Sequence, residues 1–178
     1  MAIYDLHGKD LISTQEWNRE ELQFAIDLAK DIKRGYYSGY VPELFKNKTF
    51  FMLFYNTSTR TRSSFEAAAT MLGGHAQFID FKTTRGSEGE SRADIAHMYE
   101  RLGHALGIRI LEDAVDYVYG AGNAVIREYA QHSKIPVINM ADDMYHPTQA
   151  IADMMTIDEK LYGKYEKKKY VIRWAYSD

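Results

Sequence analysis

The chain has 178 residues, of which 46% are hydrophobic and 13% aromatic, so it can bury a sizeable core and is not expected to be disordered. Its 22 basic and 25 acidic residues give a net charge of −3, which argues against a nucleic-acid-binding protein, and the absence of cysteine excludes disulfides and a thiolate nucleophile. We find no signal-peptide core and no apolar run of membrane-spanning length, and therefore expect a cytoplasmic protein without membrane partners.

The first half of the chain alternates between helical and strand-like patterns. Asn18 and Glu21 have the spacing of a capping box, and apolar residues then recur at helical spacing up to residue 35. Residues 49–55 form a continuous apolar run, which is typical of a strand covered on both faces. A helix over residues 59–72, closed by Gly73 and Gly74, and a strand over residues 75–81 are predicted to follow.

The alternation continues after a polar stretch at residues 82–90, which is predicted to be a loop rather than a regular element. Ser91 begins a pattern that opens a helix running to about residue 102, and Pro147 suits the first turn of a helix running to about residue 162. Between them lie predicted strands at 105–110 and 135–139 and a predicted helix at 123–131. This order predicts an α/β fold, a doubly wound parallel sheet flanked by helices.

Two units are predicted along the chain. Residues 1–162 form the first domain, and residues 163–178 form a charged linker and the first strand of a second α/β domain, at 170–176. A parallel strand without a following helix is a poor end for a domain. We therefore expect that the second domain is truncated in this chain.

The strongest local signal is the segment 58–62, with the sequence Ser-Thr-Arg-Thr-Arg, just beyond an apolar strand and at the start of a helix. Ligands bind at the carboxyl ends of parallel strands, and helix N-termini expose unpaired N–H groups. Hydroxyl groups add donors, and arginine matches the geometry of phosphate oxygens. The segment therefore indicates a phosphate site. The alternative, that Ser58 or Thr59 caps the helix while Arg60 and Arg62 are solvated, stays open from these residues alone.

A second group of polar residues surrounds the start of the last helix. His146 and Gln149 could donate hydrogen bonds to a carbonyl oxygen and polarise it, and Arg109, at the end of a strand, could add positive charge. Taken alone, His146 before a proline is more typical of a turn, and an arginine at a strand end is commonplace. Because these residues and the segment 58–62 all follow strand-like runs, one crevice could gather them.

Two ordered segments strongly resemble the signatures of the aspartate and ornithine carbamoyltransferases. Residues 54–66, Phe-Tyr-Asn-Thr-Ser-Thr-Arg-Thr-Arg-Ser-Ser-Phe-Glu, resemble the family's phosphate signature, and His146-Pro-Thr-Gln149 with Asp153 resembles its second signature. The resemblance covers residues 10–178, a little over half of a complete enzyme of this type. Residues 119–123 and 174–177 look most like the knotted branch, which contains the acetylornithine enzymes and a group of uncertain second substrate.

The resemblance implies transfer of a carbamoyl group from carbamoyl phosphate to the amine of an amino acid or related acceptor, with release of phosphate. It places Arg60, Arg109 and His146 at the catalytic centre. It implies that carbamoyl phosphate is bound by seven residues, Ser58, Thr59, Arg60, Thr61, Arg109, His146 and Gln149. The resemblance also implies a homotrimer that acts in amino-acid metabolism and an enzyme that needs no cofactor. The spacing of the histidines indicates no metal site.

In relatives, a loop from the neighbouring subunit of the trimer reaches into the site, and residues 82–90 match that loop. Glu88 stands where many members have lysine, which places a negative charge near the phosphate and disfavours an aspartate carbamoyltransferase. Lys82 or Arg85 could compensate for it. We expect the isolated chain to be inactive. The alternative is a non-catalytic carbamoyl-phosphate-binding or structural remnant that lacks the second-substrate domain.

Overall fold

A computed structural model describes residues 6–171 and 173 of the chain. Its centre is a four-stranded sheet in the order β2-β1-β3-β4, and every neighbouring pair is parallel. The strands are β1 (Thr49–Phe54), β2 (His75–Asp80), β3 (Ala105–Ile110) and β4 (Val137–Asp142). The helices are α1 (Arg19–Tyr37), α2 (Arg60–Met71), α3 (Arg92–Leu102), α4 (Ala121–His132) and α5 (Pro147–Lys160). This confirms the predicted α/β class and the parallel sheet.

The central strand β1 is buried on both faces, as its continuous apolar sequence predicts. Phe51 and Leu53 pack on one side of the sheet with residues of α3 and α4. Phe50, Met52 and Phe54 pack on the other side, where Phe65 of α2 covers them. Successive side chains of a strand point to opposite faces, so one apolar run supplies both cores.

The edge of β4 is covered by the chain's N-terminal segment. Leu11 forms an isolated parallel bridge with Ile138, and its N–H donates to the carbonyl of Val137 over 2.9 Å. The Asp10 carboxylate accepts from the N–H of Val137 over 2.7 Å. The backbone groups of this outer strand are therefore partly satisfied within the chain.

Several helix and strand boundaries follow local signals in the sequence. Asn18 and Glu21 form the predicted reciprocal capping box, and Ser91 caps α3 by accepting from the N–H of Asp94. Gly73, with φ +83°, follows α2 in the left-handed conformation that the predicted glycine end requires.

Other predicted boundaries were wrong. The last strand begins at Val137 and not at residue 135, and it runs to Asp142 because the ladder with β3 continues past a bulge between Ile108 and Arg109. Residues 82–90 are more regular than a loop, since they contain most of two short 3₁₀ helices, Phe81–Thr83 and Arg85–Glu88. The predicted strand at 170–176 lies largely outside the described residues.

Candidate active site

A cleft of about 610 Å³ opens where β1, β3 and β4 end and α2 and α5 begin. Five of the seven predicted ligand-binding residues line it, whereas Ser58 and Thr59 lie just ahead of α2 and are not part of its lining. The lining residues are Arg60, Thr61, Ser64, Phe65, Ala68, Arg109, His146, Thr148, Gln149 and Ala152.

The helix α2 begins without a side-chain cap. Thr59 occupies the N-cap position with helical dihedral angles, φ −90° and ψ −57°, and its hydroxyl makes no capping hydrogen bond. Within the described part of the chain, neither the Ser58 nor the Thr59 hydroxyl has a hydrogen-bond partner. The capping alternative is therefore not what the structure shows, and the first turn of α2 keeps its donors.

The two arginines of the segment have different environments. Arg62 donates to Glu66 over 3.1 Å, and its guanidinium lies 3.8 Å from the centre of the Phe78 ring. Arg60 is exposed on the cleft and forms no ion pair with any described residue. One arginine of the pair thus has a structural role, while the other remains available to an anion.

Arg109 reaches the cleft from the end of β3. Its Nη1 donates to the Thr61 hydroxyl over 3.3 Å, while its buried Nε lacks a hydrogen-bond partner among the described residues. Burial lowers the pKa of the guanidinium, Asp113 and Glu112 raise it, and Arg60 lowers it again. Arginine nevertheless stays protonated in proteins, so two positive charges face this cleft.

His146 precedes α5, and its imidazole is close to other polar groups of the cleft. The Thr148 hydroxyl lies 3.3 Å from its Nδ1. Burial lowers the pKa of this imidazole, the positive charge of Arg109 lowers it further, and Asp153 and Asp142 oppose the shift. The neutral imidazole is therefore favoured near pH 7. A neutral ring that accepts from Thr148 at Nδ1 would carry its proton on Nε2.

The turn between β4 and α5 is held by the buried carboxylate of Asp142. Its Oδ1 accepts from the N–H of Met144 over 2.7 Å, and its Oδ2 accepts from Asn123 and Asn139 over 2.7 and 2.8 Å. These bonds fix the backbone that carries His146. Gln149, one turn further on, donates to Asp153 over 2.8 Å.

None of the residues of the candidate subunit loop, 82–90, lines this cleft. Arg85 forms an exposed ion pair with Glu88 over 3.0 Å, so the unusual acidic residue neutralises a cation of its own loop. Lys82 forms no ion pair with the residues that the structure describes. At the start of the loop, the Phe81 ring stacks on Tyr55, with ring centres 3.9 Å apart.

The glycine pair Gly120 and Gly122 does not form a ligand site. The Asp143 carboxylate accepts from the N–H groups of Gly120 and Asn123, over 2.5 and 3.0 Å, and so occupies the start of α4. A Cβ at Gly122 would lie 2.8 Å from this carboxylate, so the glycine makes room for it.

Sequence reasoning missed part of the cleft wall. Ser64, Phe65 and Ala68 lie at helical spacing from Arg60 and Thr61, so a helical projection of α2 would have placed them on the same face. It also missed Asn56, whose amide joins the loop after β1 to the loop after β3. No local sequence pattern predicts this contact, because Leu111 is 55 residues from Asn56 in the chain.

Two absences are confined to the described part of the chain. It contains no group of three or more histidine, cysteine, aspartate or glutamate side chains that could hold a metal ion. None of its helices is long and apolar enough to cross a membrane.

Comparisons with known proteins point in one direction. Residues 9–159 match the family model described as aspartate/ornithine carbamoyltransferase, carbamoyl-P binding domain. A catabolic ornithine carbamoyltransferase of Burkholderia mallei is 36% identical over 173 residues, which are 97% of this chain and 47% of that protein. The chain therefore spans about half the length of the curated relatives that it matches.

Solved structures agree with the sequence matches. Ornithine carbamoyltransferase from Pyrococcus furiosus has a TM-score of 0.80 and 35% identity, covering 89% of this chain and 47% of that one. Aspartate transcarbamoylase from Trypanosoma cruzi, in complex with carbamoyl phosphate and aspartate, has a TM-score of 0.73 and 28% identity, covering 88% of this chain and 49% of that one.

Proposed function

The chain belongs to the aspartate/ornithine carbamoyltransferase family, and we propose that its cleft binds carbamoyl phosphate. In the whole protein, the carbamoyl group would pass to the amine of an amino acid, with release of phosphate. The observation that carries the proposal is that Arg60 and Arg109 meet on one cleft without ion-pair partners among the described residues. Bringing two like charges together costs free energy, which a bound anion would offset.

Each polar residue of the cleft has a proposed role. The hydroxyls of Ser58, Thr59 and Thr61, the first N–H groups of α2 and the Arg60 guanidinium would hold the phosphate group. Arg109, His146 and Gln149 would hold the carbamoyl group, with Arg109 also near the phosphate. Support comes from the uncapped start of α2 and from the five residues of this set that line the cleft.

The proposed reaction needs no covalent intermediate on the protein. The amine nitrogen would form a bond to the carbonyl carbon, while the bond from that carbon to the bridging phosphate oxygen breaks. The electron pair of the broken bond leaves with the phosphate, and the proton lost by the amine goes to the phosphate or to water. Arg109 and a neutral His146 would stabilise the charge that develops on the carbonyl oxygen.

The relatives favour ornithine as the acceptor, since the matched proteins described above include ornithine carbamoyltransferases from two organisms. The likeness to the knotted branch stays a prediction. It rests on residues 119–123 and 174–177, and the second of these segments lies outside the described residues. A carbamoylation assay of the whole protein, with ornithine and acetylornithine as competing acceptors, would distinguish an ornithine enzyme from an acetylornithine enzyme.

The homotrimer also stays a prediction, as does a cytoplasmic location. In a trimer, the loop at residues 82–90 would reach a neighbouring subunit's cleft. Because Arg85 is paired with Glu88, Lys82 would be the cation that this loop supplies. The inactivity of the isolated chain is likewise untested. Binding without turnover would favour the alternative of a non-catalytic remnant.

Calorimetric titration of carbamoyl phosphate into the chain tests the proposal. Arg60→Ala is expected to weaken binding at least about tenfold, or about 1.4 kcal/mol, because it removes a charge that faces the ligand. Arg62→Ala is the matched control and should change the affinity by less than about threefold, since that side chain is held by Glu66 and Phe78. Equal losses in both variants, or no binding by the folded parent, would contradict the proposal.

A further inference from the structure

The side chain of Asn56 bridges the two loops that border the cleft. Its Oδ1 accepts from the N–H of Leu111 over 2.7 Å, and its Nδ2 donates to the Asp113 carboxylate over 2.6 Å. Asn56 belongs to the loop between β1 and α2, whereas Leu111 and Asp113 follow β3. Asn56 does not line the cleft itself.

Two further bonds tie the same two segments together, one just before the phosphate segment at residues 58–62 and one within it. The N–H of Tyr55 donates to the carbonyl of Arg109 over 2.9 Å, and the Arg109 guanidinium donates to the Thr61 hydroxyl over 3.3 Å. Between these ties, the side chains of residues 57–60 make no hydrogen bonds to any described residue. The unpaired side chains of residues 57–60 therefore lie between two positions, Tyr55 and Thr61, that are hydrogen-bonded to Arg109. Asn56 is the last residue before them whose side chain is hydrogen-bonded.

Asn56 also binds a carboxylate whose charge acts on Arg109. The negative charge of Asp113 raises the pKa of the Arg109 guanidinium, although the two side chains form no ion pair. The Asn56 amide occupies one oxygen of Asp113. A carboxylate released from this bond could turn to Arg109 and compete with an anionic ligand.

We propose that Asn56 is a positioning residue for carbamoyl phosphate: its amide fixes the phosphate segment relative to β3 and holds Asp113 away from Arg109. This inference rests on the proposed function and assigns to Asn56 no contact with the substrate. The bridge needs an acceptor toward Leu111 and a donor toward Asp113, and an asparagine amide supplies both. Aspartate at position 56 would retain the acceptor but set two carboxylates against each other.

An exchange of charge between the two positions tests the inference. Carbamoyl phosphate affinity would be measured calorimetrically for the parent, Asn56→Asp, Asp113→Asn and the double variant, with thermal unfolding as a check on folding. Asn56→Asp is expected to lose at least about tenfold in affinity. Asp113→Asn retains an acceptor for the Asn56 amide and should stay within about threefold of the parent. The double variant restores a donor–acceptor pair with the roles reversed and should also return to within about threefold.

The pH dependence supplies a readout that a general structural defect would not produce. In Asn56→Asp, a proton shared between the two carboxyl groups would recreate the missing donor. The affinity deficit relative to the parent at the same pH should therefore shrink as the pH is lowered from about 7.5 to about 5. A deficit that is independent of pH would overturn the inference.

The remaining outcomes separate the inference from the proposed function. A folded parent that does not bind carbamoyl phosphate removes the proposed function and this inference with it. A parent that binds, together with an Asn56→Asp variant of equal affinity or a double variant that does not recover, overturns the inference alone. If Asn56→Asp does not fold, Asn56→Ala takes its place, and an affinity within about threefold of the parent would overturn the inference.

Discussion

At the level of single residues, the cleft combines two arginines with a histidine whose neutral form is favoured by burial and by the charge of Arg109. Arg109 lies near the end of β3, whereas His146 lies just ahead of α5. Burial lowers the pKa of His146, and the positive charge of Arg109 lowers it further. A neutral imidazole donates one hydrogen bond without adding a third charge. The proposed carbonyl contact depends on this state, since a protonated His146 would also attract the phosphate.

The pKa of His146 is expected to lie below the ordinary value of 6.5 and to rise in Arg109→Gln, because the neighbouring positive charge is then absent. NMR titration of the imidazole in both proteins measures it. Between the lowered folded value and the unfolded value, the folded state binds fewer protons, so the contribution of His146 makes stability rise with pH across that window and fall on acidification. An unchanged pKa in the variant would contradict the coupling of the two side chains.

At the level of elements, the helices that border the cleft begin differently from the others. Asn18 and Ser91 cap α1 and α3 with their own side chains, and Asp143 occupies the start of α4. The helices α2 and α5 have no side-chain cap. Caps thus occur where no ligand is proposed and are absent at the two helix starts that border the cleft, which leaves the first N–H groups of α2 available to an anion.

The start of α4 gives a prediction on stability. Asp143→Ala removes the acceptor for two N–H groups of the helix start and should lower the free energy of unfolding by about 1–2 kcal/mol. Asp31→Ala is the matched control, since its exposed pair with Arg34 should contribute less than about 0.5 kcal/mol. Urea denaturation measures both, and equal losses would show that Asp143 does not stabilise the helix start.

Local signals account for the elements that the sequence could predict. The capping box at Asn18 and the glycine after α2 depend on neighbours within a few residues, and both predictions were confirmed. The sequence predicts that α4 begins at residue 123, whereas it begins at Ala121. The carboxylate that accepts from the N–H groups of this helix start belongs to Asp143, which is distant in sequence. The end of β4 was misplaced for a related reason, since the ladder with β3 fixes it.

At the level of the whole molecule, the parallel sheet brings together loops that are far apart in sequence. The order β2-β1-β3-β4 places the ends of β1 and β3 side by side, so Arg60 and Arg109 reach the same cleft, and β4 adds His146. The alternation of elements was sufficient to predict one crevice. It could not predict that the Arg62 side chain pairs with Glu66 and packs on Phe78, or that Asn56 bridges two loops, because the Phe78 and loop contacts are tertiary.

The most direct test of the central claim is to map carbamoyl phosphate binding by NMR on the isotopically labelled chain. Saturable chemical-shift changes are expected at the backbone amides of residues 58–61, at the start of α5 and at the His146 imidazole. The start of α4, already occupied by Asp143, should change little. This pattern would place the ligand between the two uncapped helices. Saturable changes centred on α4, or on the surface where Lys33 of α1 pairs with Glu159 of α5, would contradict the account.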